Sequence, residues 1–552
     1  MNNRIISIGI VSLLVIGGFI GIFLKISDDV KASGPTYVSF VISTDTTWTV
    51  ANSPYIVVGH LLVEKGVTLT IEPGVEVKFD GYYYLQIEGK LIAEGTKNDM
   101  IIFTSNKTSP VPGDWDSIKF MDNADNGSSI SYCKIEFGHD AIFIDDSNPF
   151  AILNITHNYI SQNSYTGIKL FPFSPQITTI DPVNRIMYNT IVNNTGRGIW
   201  VHYYIHSEYS NLIISHNVIE NGSNDGIDCS SYEGKVEIFN NTILGNDHMG
   251  IQMIMVENFE IKNNLISYNL DGGIDVMGDD RSNVIIENNT ISNNGEVAGS
   301  GAGISFFFML SANYTSIHYN NFINNTPYDA KNNYEPDIIA TYNWWGTTDT
   351  NLINQSIYDY WDDFNKGEII YMPFLTGPIK QKSATLKQGC NLISIPLIQS
   401  DESIDEVLSS ISGEYYAIQW YDASDGNDPW KHHHTSKPPH LNDFHKIDHT
   451  IAFYIYTNQP GDTIFFFNGN EPTENQKILL HPGWNLVGYP SKSDKLRDVA
   501  LNTLTFDTHV DSIWTYNSAT QKWEEIGPSD YFEVGSGYWI HANVECTWEV
   551  PL

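Results

Sequence analysis

Basic residues are few in this sequence. Its 552 residues include 29 Lys and Arg against 65 Asp and Glu, a formal net charge of −36, and the basic residues form no run. A surface of that sign cannot neutralise phosphates, which excludes nucleic acid as a partner. Cysteine is also scarce: Cys133, Cys229, Cys390 and Cys546 stand far apart without Cys-x-x-Cys spacing, which excludes a zinc knuckle. An exported chain permits a disulfide, and Cys390 with Cys546 is the pair to test first because both fall in the C-terminal region, although buried free cysteine is common. Alanine is sparse, and beyond the N-terminus no long stretch repeats apolar residues at helical spacing, so helical repeats are excluded. Asn and Tyr, by contrast, are abundant. A hydrophobic fraction of 41% with 13% aromatics supplies the core of a folded, β-rich chain, and the acidic excess solvates it.

The one long apolar run is N-terminal. It extends from Ile5 to Leu24 between Arg4 and Lys25, long enough to reach across a bilayer as a helix. Residues 1–34 are therefore expected to be a membrane anchor with its N-terminus inside, or a signal segment cleaved after Val30-Lys31-Ala32. Either outcome exports the remainder to the cell surface or the extracellular space. Asn-x-Ser/Thr sequons at Asn106, Asn126, Asn154, Asn193, Asn221, Asn240, Asn288, Asn313, Asn324 and Asn354 suit a glycoprotein, although an Asn-rich repeat also produces them by chance.

The middle of the chain repeats. HNYISQN at 157, YNTIVNN at 188, HNVIENG at 216, NNTILGN at 240, NNLISYN at 263, NNTISNN at 288 and NNFINNT at 320 follow at intervals of 23 to 32 residues. A second register runs beside them: Gly167-Ile168, Gly198-Ile199, Gly226-Ile227, Gly250-Ile251, Gly273-Ile274 and Gly303-Ile304. Short segments of alternating apolar and polar residues, rich in Ile, Val, Phe and Tyr, predict the strands of a solenoid whose coils bury themselves only against neighbours. Asn and Gly are expected at the corners because they tolerate left-handed backbone, with stacked Asn amides bonding from coil to coil.

The preceding segment carries GVTLTIEPGVEVKF from Gly66 and GKLIAEGT from Gly89, and the repeats finish on YNWWGT, Tyr342 to Thr347. With these motifs the chain resembles the right-handed parallel β-helix proteins of the pectin-lyase-like superfamily, especially archaeal and bacterial surface forms. The resemblance implies a β-helix over residues 38–378 in which Trp344 and Trp345 cap the last coil. It implies no single function, because that superfamily spans lyases, glycosidases, adhesins and inert stalks.

After Pro378 the Asn blocks stop and a different duplication begins. GCNLISIPL at 389 matches GWNLVGYPS at 483, AIQWYDA at 417 matches SIWTYNS at 512, Trp430 matches Trp523, and IAFYIYTN at 451 matches SGYWIHAN at 536. The reading is a β-sandwich-like module over 383–552, in copies of about 383–470 and 474–552, giving an all-β chain throughout. It is similar to modules appended to archaeal surface proteins, which implies adhesion or ligand binding. Trp420, Trp430, Trp514, Trp523, Trp539 and Trp548 are expected mainly in its core, with one or two exposed for carbohydrate stacking. The His-rich stretch from His432 to His449 is read as a solvent-exposed loop rather than a metal site.

Residues that follow an inward Ile point outward, and equivalent positions of successive coils stack about 4.8 Å apart. Lys169, Trp200, Asp228, Gln252, Asp275 and Ser305 are thus expected to form one column, flanked by Arg197, Asp225, His248 and Asp271. In a hydrolase Asp228 and Asp275, about 9 to 10 Å apart, would divide general acid and water activation. Arg197 or His248 would orient the substrate and Trp200 would be the sugar platform, with Asp225, Gln252, Asp271 and Lys169 contacting substrate. A lyase would instead use the Asp cluster for calcium and Lys169 or Arg197 as base. The plainest reading is that these Asp residues serve corner geometry. The favoured function is a non-enzymatic, monomeric surface protein, adhesive or carbohydrate-binding, that presents a rod and a binding module to glycans or neighbouring cells. A polysaccharide-degrading enzyme and a structural envelope spacer are the alternatives.

Overall fold

The structure, a computed structural model, describes residues 34–121, 124–145, 153–171, 183–202, 211–231, 235–256, 258–278, 283–295, 301–308, 315–457 and 463–552. The expected N-terminal anchor lies outside the described residues. Among those described, no helix is long and apolar enough to cross a membrane.

Each coil of the solenoid contributes three short parallel strands, one to each of three faces. Eleven strands from Thr46–Trp48 to Thr315–His318 form the first face. The second runs from Glu76–Phe79 to Asn321–Ile323 and the third from Leu85–Ile87 to Ile357–Tyr358; the long strand Tyr55–Val63 pairs with both. Alternation explains why these segments are strands. In Lys235–Phe239, Val236 and Ile238 are fully buried while their neighbours are partly exposed. Period two then makes columns of one residue type inside the helix. Ile155, Ile186, Ile214, Ile238, Ile261, Ile286 and Ile317 stack along the first face, none more than 1 % exposed. Burial of each such side chain contributes about 1.5–3 kcal/mol.

The corner between the first and second faces is an amide ladder. Asn158, Asn189, Asn217, Asn241, Asn264, Asn289, Asn320 and Asn343 are buried, and each of the first seven donates through its backbone N–H and its Nδ2 to Oδ1 of the next. This ladder corrects two expectations. The last repeat registers one residue earlier than the alignment at 320, since Asn320 itself is the rung. The left-handed residue is not the ladder Asn but the one before it: His157, Tyr188, His216, Asn240, Asn263, Asn288 and Tyr319 all have φ between 56° and 60°. The next corner has a similar ladder through Asn163 and Asn194, interrupted at Gly222, then Asn246, Asn269, Asn294, Asn325 and Asp329.

Coils continue past the tryptophans expected to cap them. Ile357 pairs with Ala330 and Ile369 with Ile338, so Trp345, stacked on Phe322 at 4.8 Å, is an interior rung. Asn343 is the last amide of its ladder.

Beyond Pro378 the two copies repeat the same main sheets. Lys380–Leu386 pairs with Thr463–Gly469, and Gly389–Ser394, Ala452–Thr457, Tyr415–Tyr421 and Trp430–His434 form a four-stranded antiparallel sheet. The second copy has Gln476–Leu480 with Cys546–Val550, and a sheet of Gly483–Gly488, Gly537–Ala542, Val510–Asn517 and Lys522–Glu525. Asn391 and Asn485 close the same turn in each, accepting from the N–H of Lys387 and His481 and donating to the carbonyls of those residues. Cys390 and Cys546 fall in different sheets and are free thiols, so they are not bonded to each other. His432, His433 and His434 lie on a paired strand rather than in a loop. Trp548 is fully buried, but Trp430 and Trp523 are not core residues.

This module rests on the corner between the first and second faces. Tyr188 donates its hydroxyl to Glu414 at 2.6 Å, His216 packs on Phe466, and the Nδ2 of Asn468 donates to Asn263. The sequon residue Asn240 is buried there beside the carbonyl of Ser410, a position closed to a glycan.

Candidate functional site

The candidate site lies on the third face, away from that docked corner. Pairing register places Lys169 beside Trp200, then Asp228, Gln252, Asp275 and Ser305 in one column. The column is longer than the Gly-Ile register showed. Lys119 and Phe143 precede Lys169, and Lys331 and Tyr358 follow Ser305. These positions were hidden because Ile142 and Ile357 are preceded by Ala141 and Ser356 instead of Gly. Compositional likeness to the other coils was the one available signal.

The flanking residues occupy two adjacent rows, not one. Arg197 and Asp225 immediately precede a Gly-Ile pair, whereas His248 and Asp271 stand one residue earlier in their coils. Side chains nevertheless join the rows. Nε of Arg197 lies 2.6 Å from Oδ2 of Asp228 and 3.4 Å from Oδ2 of Asp225. His248 bridges Asp225 and Asp271, with Nδ1 3.2 Å from the first and Nε2 3.1 Å from the second. The Arg197 guanidinium also lies 4.4 Å from the centre of the Trp200 ring. Nζ of Lys169 is 3.4 Å from Asp140 and within cation–π distance of Phe143, Phe171 and Trp200.

Outward register does not leave the acids exposed: Asp228 is 2 % and Asp275 6 % exposed. Both oxygens of Asp228 are engaged, Oδ2 by Arg197 and Oδ1 by the Ser230 hydroxyl at 2.7 Å. Burial raises the carboxyl of Asp225, and the Asp228 charge raises it further, against the N–H of Met249, Arg197 and His248. Asp275 is pushed up to about 7 by burial and by the charge of Asp225, while a hydrogen bond from Gln252 and the charge of Lys331 oppose the shift. Its Oδ1 is buried without a hydrogen-bond partner. Gln252 stands between Asp228 and Asp275 in the column. Residues 171–183 and 306–313, which by length could wall the face, lie largely outside the described residues.

Chemically, the arrangement offers a carboxyl raised to about 7, ion-paired carboxylates and a half-exposed indole beside two cations. Among the described residues no group of three or more His, Cys, Asp or Glu is placed to hold a metal ion. Arg197 and His248 pair with Asp225, Asp228 and Asp271, and Asp275 pairs with neither.

Comparison with known proteins bears on the β-helix. The family described as pectate-lyase-like β helix domain matches residues 41–141, and the right-handed β helix region matches 123–255 and 229–345. No curated protein matches the chain. Among solved structures, the A-module of the Azotobacter vinelandii mannuronan C-5 epimerase AlgE6 is 12% identical, covering 62% of this chain and 91% of its own, at a TM-score of 0.35. The enzymatically active domain of bacteriophage CBA120 tailspike protein 2 is 9% identical, covering 88% of this chain and 77% of its own, at a TM-score of 0.32. With its three stacked faces and its two amide ladders, the segment from 41 to 345 belongs to the right-handed, pectate-lyase-like β-helix proteins.

Proposed function

We propose that the protein is an exported surface protein that binds polysaccharide along the third face of its β-helix, with Trp200 as the sugar platform. One observation carries the reading: the Trp200 ring lies beside Lys169 and Arg197, 5.3 and 4.4 Å from its centre, within a set of donors and acceptors running from Asp140 to Asp271. An aromatic face for sugar C–H groups, beside charged groups for hydroxyls, is the chemistry a glycan requires. The apolar run from Ile5 to Leu24 supports export. Binding is favoured over catalysis because both oxygens of Asp228 are committed to Arg197 and Ser230, which leaves no free carboxylate oxygen there to activate water.

Screening the full chain against immobilised neutral and uronic polysaccharides tests this reading. The expected result is retention on at least one polymer, with affinity falling about tenfold or more in Trp200→Ala. Retention that is indifferent to Trp200→Ala refutes it. A second reading rests on Asp275, whose raised carboxyl is suited to a general acid in glycoside hydrolysis. Release of reducing ends from the retained polymer, abolished in Asp275→Asn, would establish that reading, and its absence would leave binding alone.

A further inference from the structure

The two copies of the C-terminal module meet about an internal two-fold axis. Ile393 bridges to Ser536, and Val487, the counterpart of Ile393, bridges to Ile451, the counterpart of Ser536. On that axis the counterparts Tyr454 and Trp539 touch, the indole Nε1 donating to the tyrosine hydroxyl at 2.7 Å. From there aromatic side chains open outward into a cleft of about 610 Å³. The first copy supplies Tyr421, Trp430 and Tyr454; the second supplies Trp484, Trp514, Trp523 and Trp539. The symmetry is partial, because Trp484 stands where the first copy has Cys390.

Three of these indoles are well exposed: Trp430 at 36 %, Trp484 at 41 % and Trp523 at 47 %. Large apolar side chains gathered at one open site mark a binding surface, since exposure there adds nothing to folding stability. We propose that this cleft binds an uncharged hexopyranose chain, with the C–H faces of the sugar rings against the indoles. The site is separate from the third face of the β-helix and stands whether or not that face binds glycan.

Three observations select this ligand class. The rings meet at steep angles, Trp484 at 82° and Trp430 at 59° to Trp539, so they form walls rather than one flat stack. The N–H groups of Trp514, Trp539 and Trp548 are spent on Ser512, Tyr454 and Ala500, whereas those of Trp430, Trp484 and Trp523 have no protein acceptor among the described residues. Ring faces with free donors suit a ligand that has both C–H faces and hydroxyl oxygens. A quaternary cation would use the faces and leave the donors idle; Asp425, in the turn before Trp430, and Asp511, on the strand that carries Trp514, are already paired with Lys431 and His541. An anionic glycan is disfavoured by a chain of net charge −36.

The test is titration of the full chain with cellohexaose, mannohexaose and chitohexaose, followed by tryptophan fluorescence and calorimetry. At least one hexaose is expected to shift the emission saturably. The double variant Trp484→Ala, Trp523→Ala is expected to weaken binding tenfold or more, and Trp484→Phe, which keeps a ring in place, to weaken it less. In a Trp200→Ala background the double variant should still weaken hexaose binding tenfold or more, which separates this site from the β-helix face. The proposal is overturned if no hexaose binds, if the double variant binds unchanged, or if only tetramethylammonium or a polyproline peptide saturates the cleft.

Discussion

At the scale of single residues, burial decides the behaviour of the acids. The Asp275 carboxyl titrates at about 7 in the folded chain, against about 3.9 for an unfolded Asp. Between those values the folded state binds more protons than the unfolded one, so this group's contribution is complete below about pH 4 and is lost as pH rises through about 7. At about 1.4 kcal/mol per unit, the loss is of the order of 4 kcal/mol. Denaturant unfolding of wild type and Asp275→Asn from pH 4 to pH 8 should therefore show their stability difference changing with pH, the wild type losing ground towards neutrality. A difference that stays constant would refute the assignment. The outward register of Asp275 was legible in the sequence, since it follows Ile274. Its burial was not, because that depends on how side chains from neighbouring coils close over the column.

At the scale of elements, glycine and asparagine prove to have different tasks from the ones their chemistry first brings to mind. Gly198, Gly226, Gly250 and Gly303 do not use left-handed backbone; they let coils approach closely. A Cβ on Gly250 would lie 2.7 Å from the carbonyl oxygen of Gly273 and 2.6 Å from Cγ2 of Ile266. Gly250→Ala should accordingly lower the unfolding free energy by about 1–3 kcal/mol, an overpacking effect visible as a reduced Tm. The left-handed corner positions accept His and Tyr as well as Asn, and their rings stack in turn: Tyr132 on His157 at 4.6 Å, His157 on Tyr188 at 4.9 Å, Tyr188 on His216 at 4.6 Å. The repeat marked where these corners are. Which residue of each block bends the chain and which bonds the next coil differ by one position, and only hydrogen-bond geometry separates them.

At the scale of the whole molecule, the C-terminal module meets the β-helix through a ring contact and a few polar contacts, one of them to the partly buried carboxyl of Glu414. Burial raises Glu414, against hydrogen bonds from Tyr188 and Thr463. Removing the donor in Tyr188→Phe leaves that carboxyl less compensated and should loosen the docking. The expected readout is faster hydrogen exchange in residues 404–415, with the strands of the β-helix interior unchanged. Since the folded Glu414 carboxyl is raised, its contribution to docking is greatest at acid pH and falls as pH rises through its folded value, so the effect should grow towards neutrality.

The sequence by itself determined the all-β class, the solenoid, its two registers, the duplication after Pro378 and the column from Lys169 to Ser305. Each of these is a matter of local periodicity: with strands of period two and coils stacked in register, counting residues is enough to say which side chains share a face. The tertiary structure decided the rest. It joined Arg197 to Asp228 across coils, buried both acids of the column, left Cys390 and Cys546 apart in different sheets, and brought Trp430 and Trp523 to one open cleft. These outcomes depend on distances between chain segments remote in sequence and on the packing of side chains between them, and no local pattern encodes either.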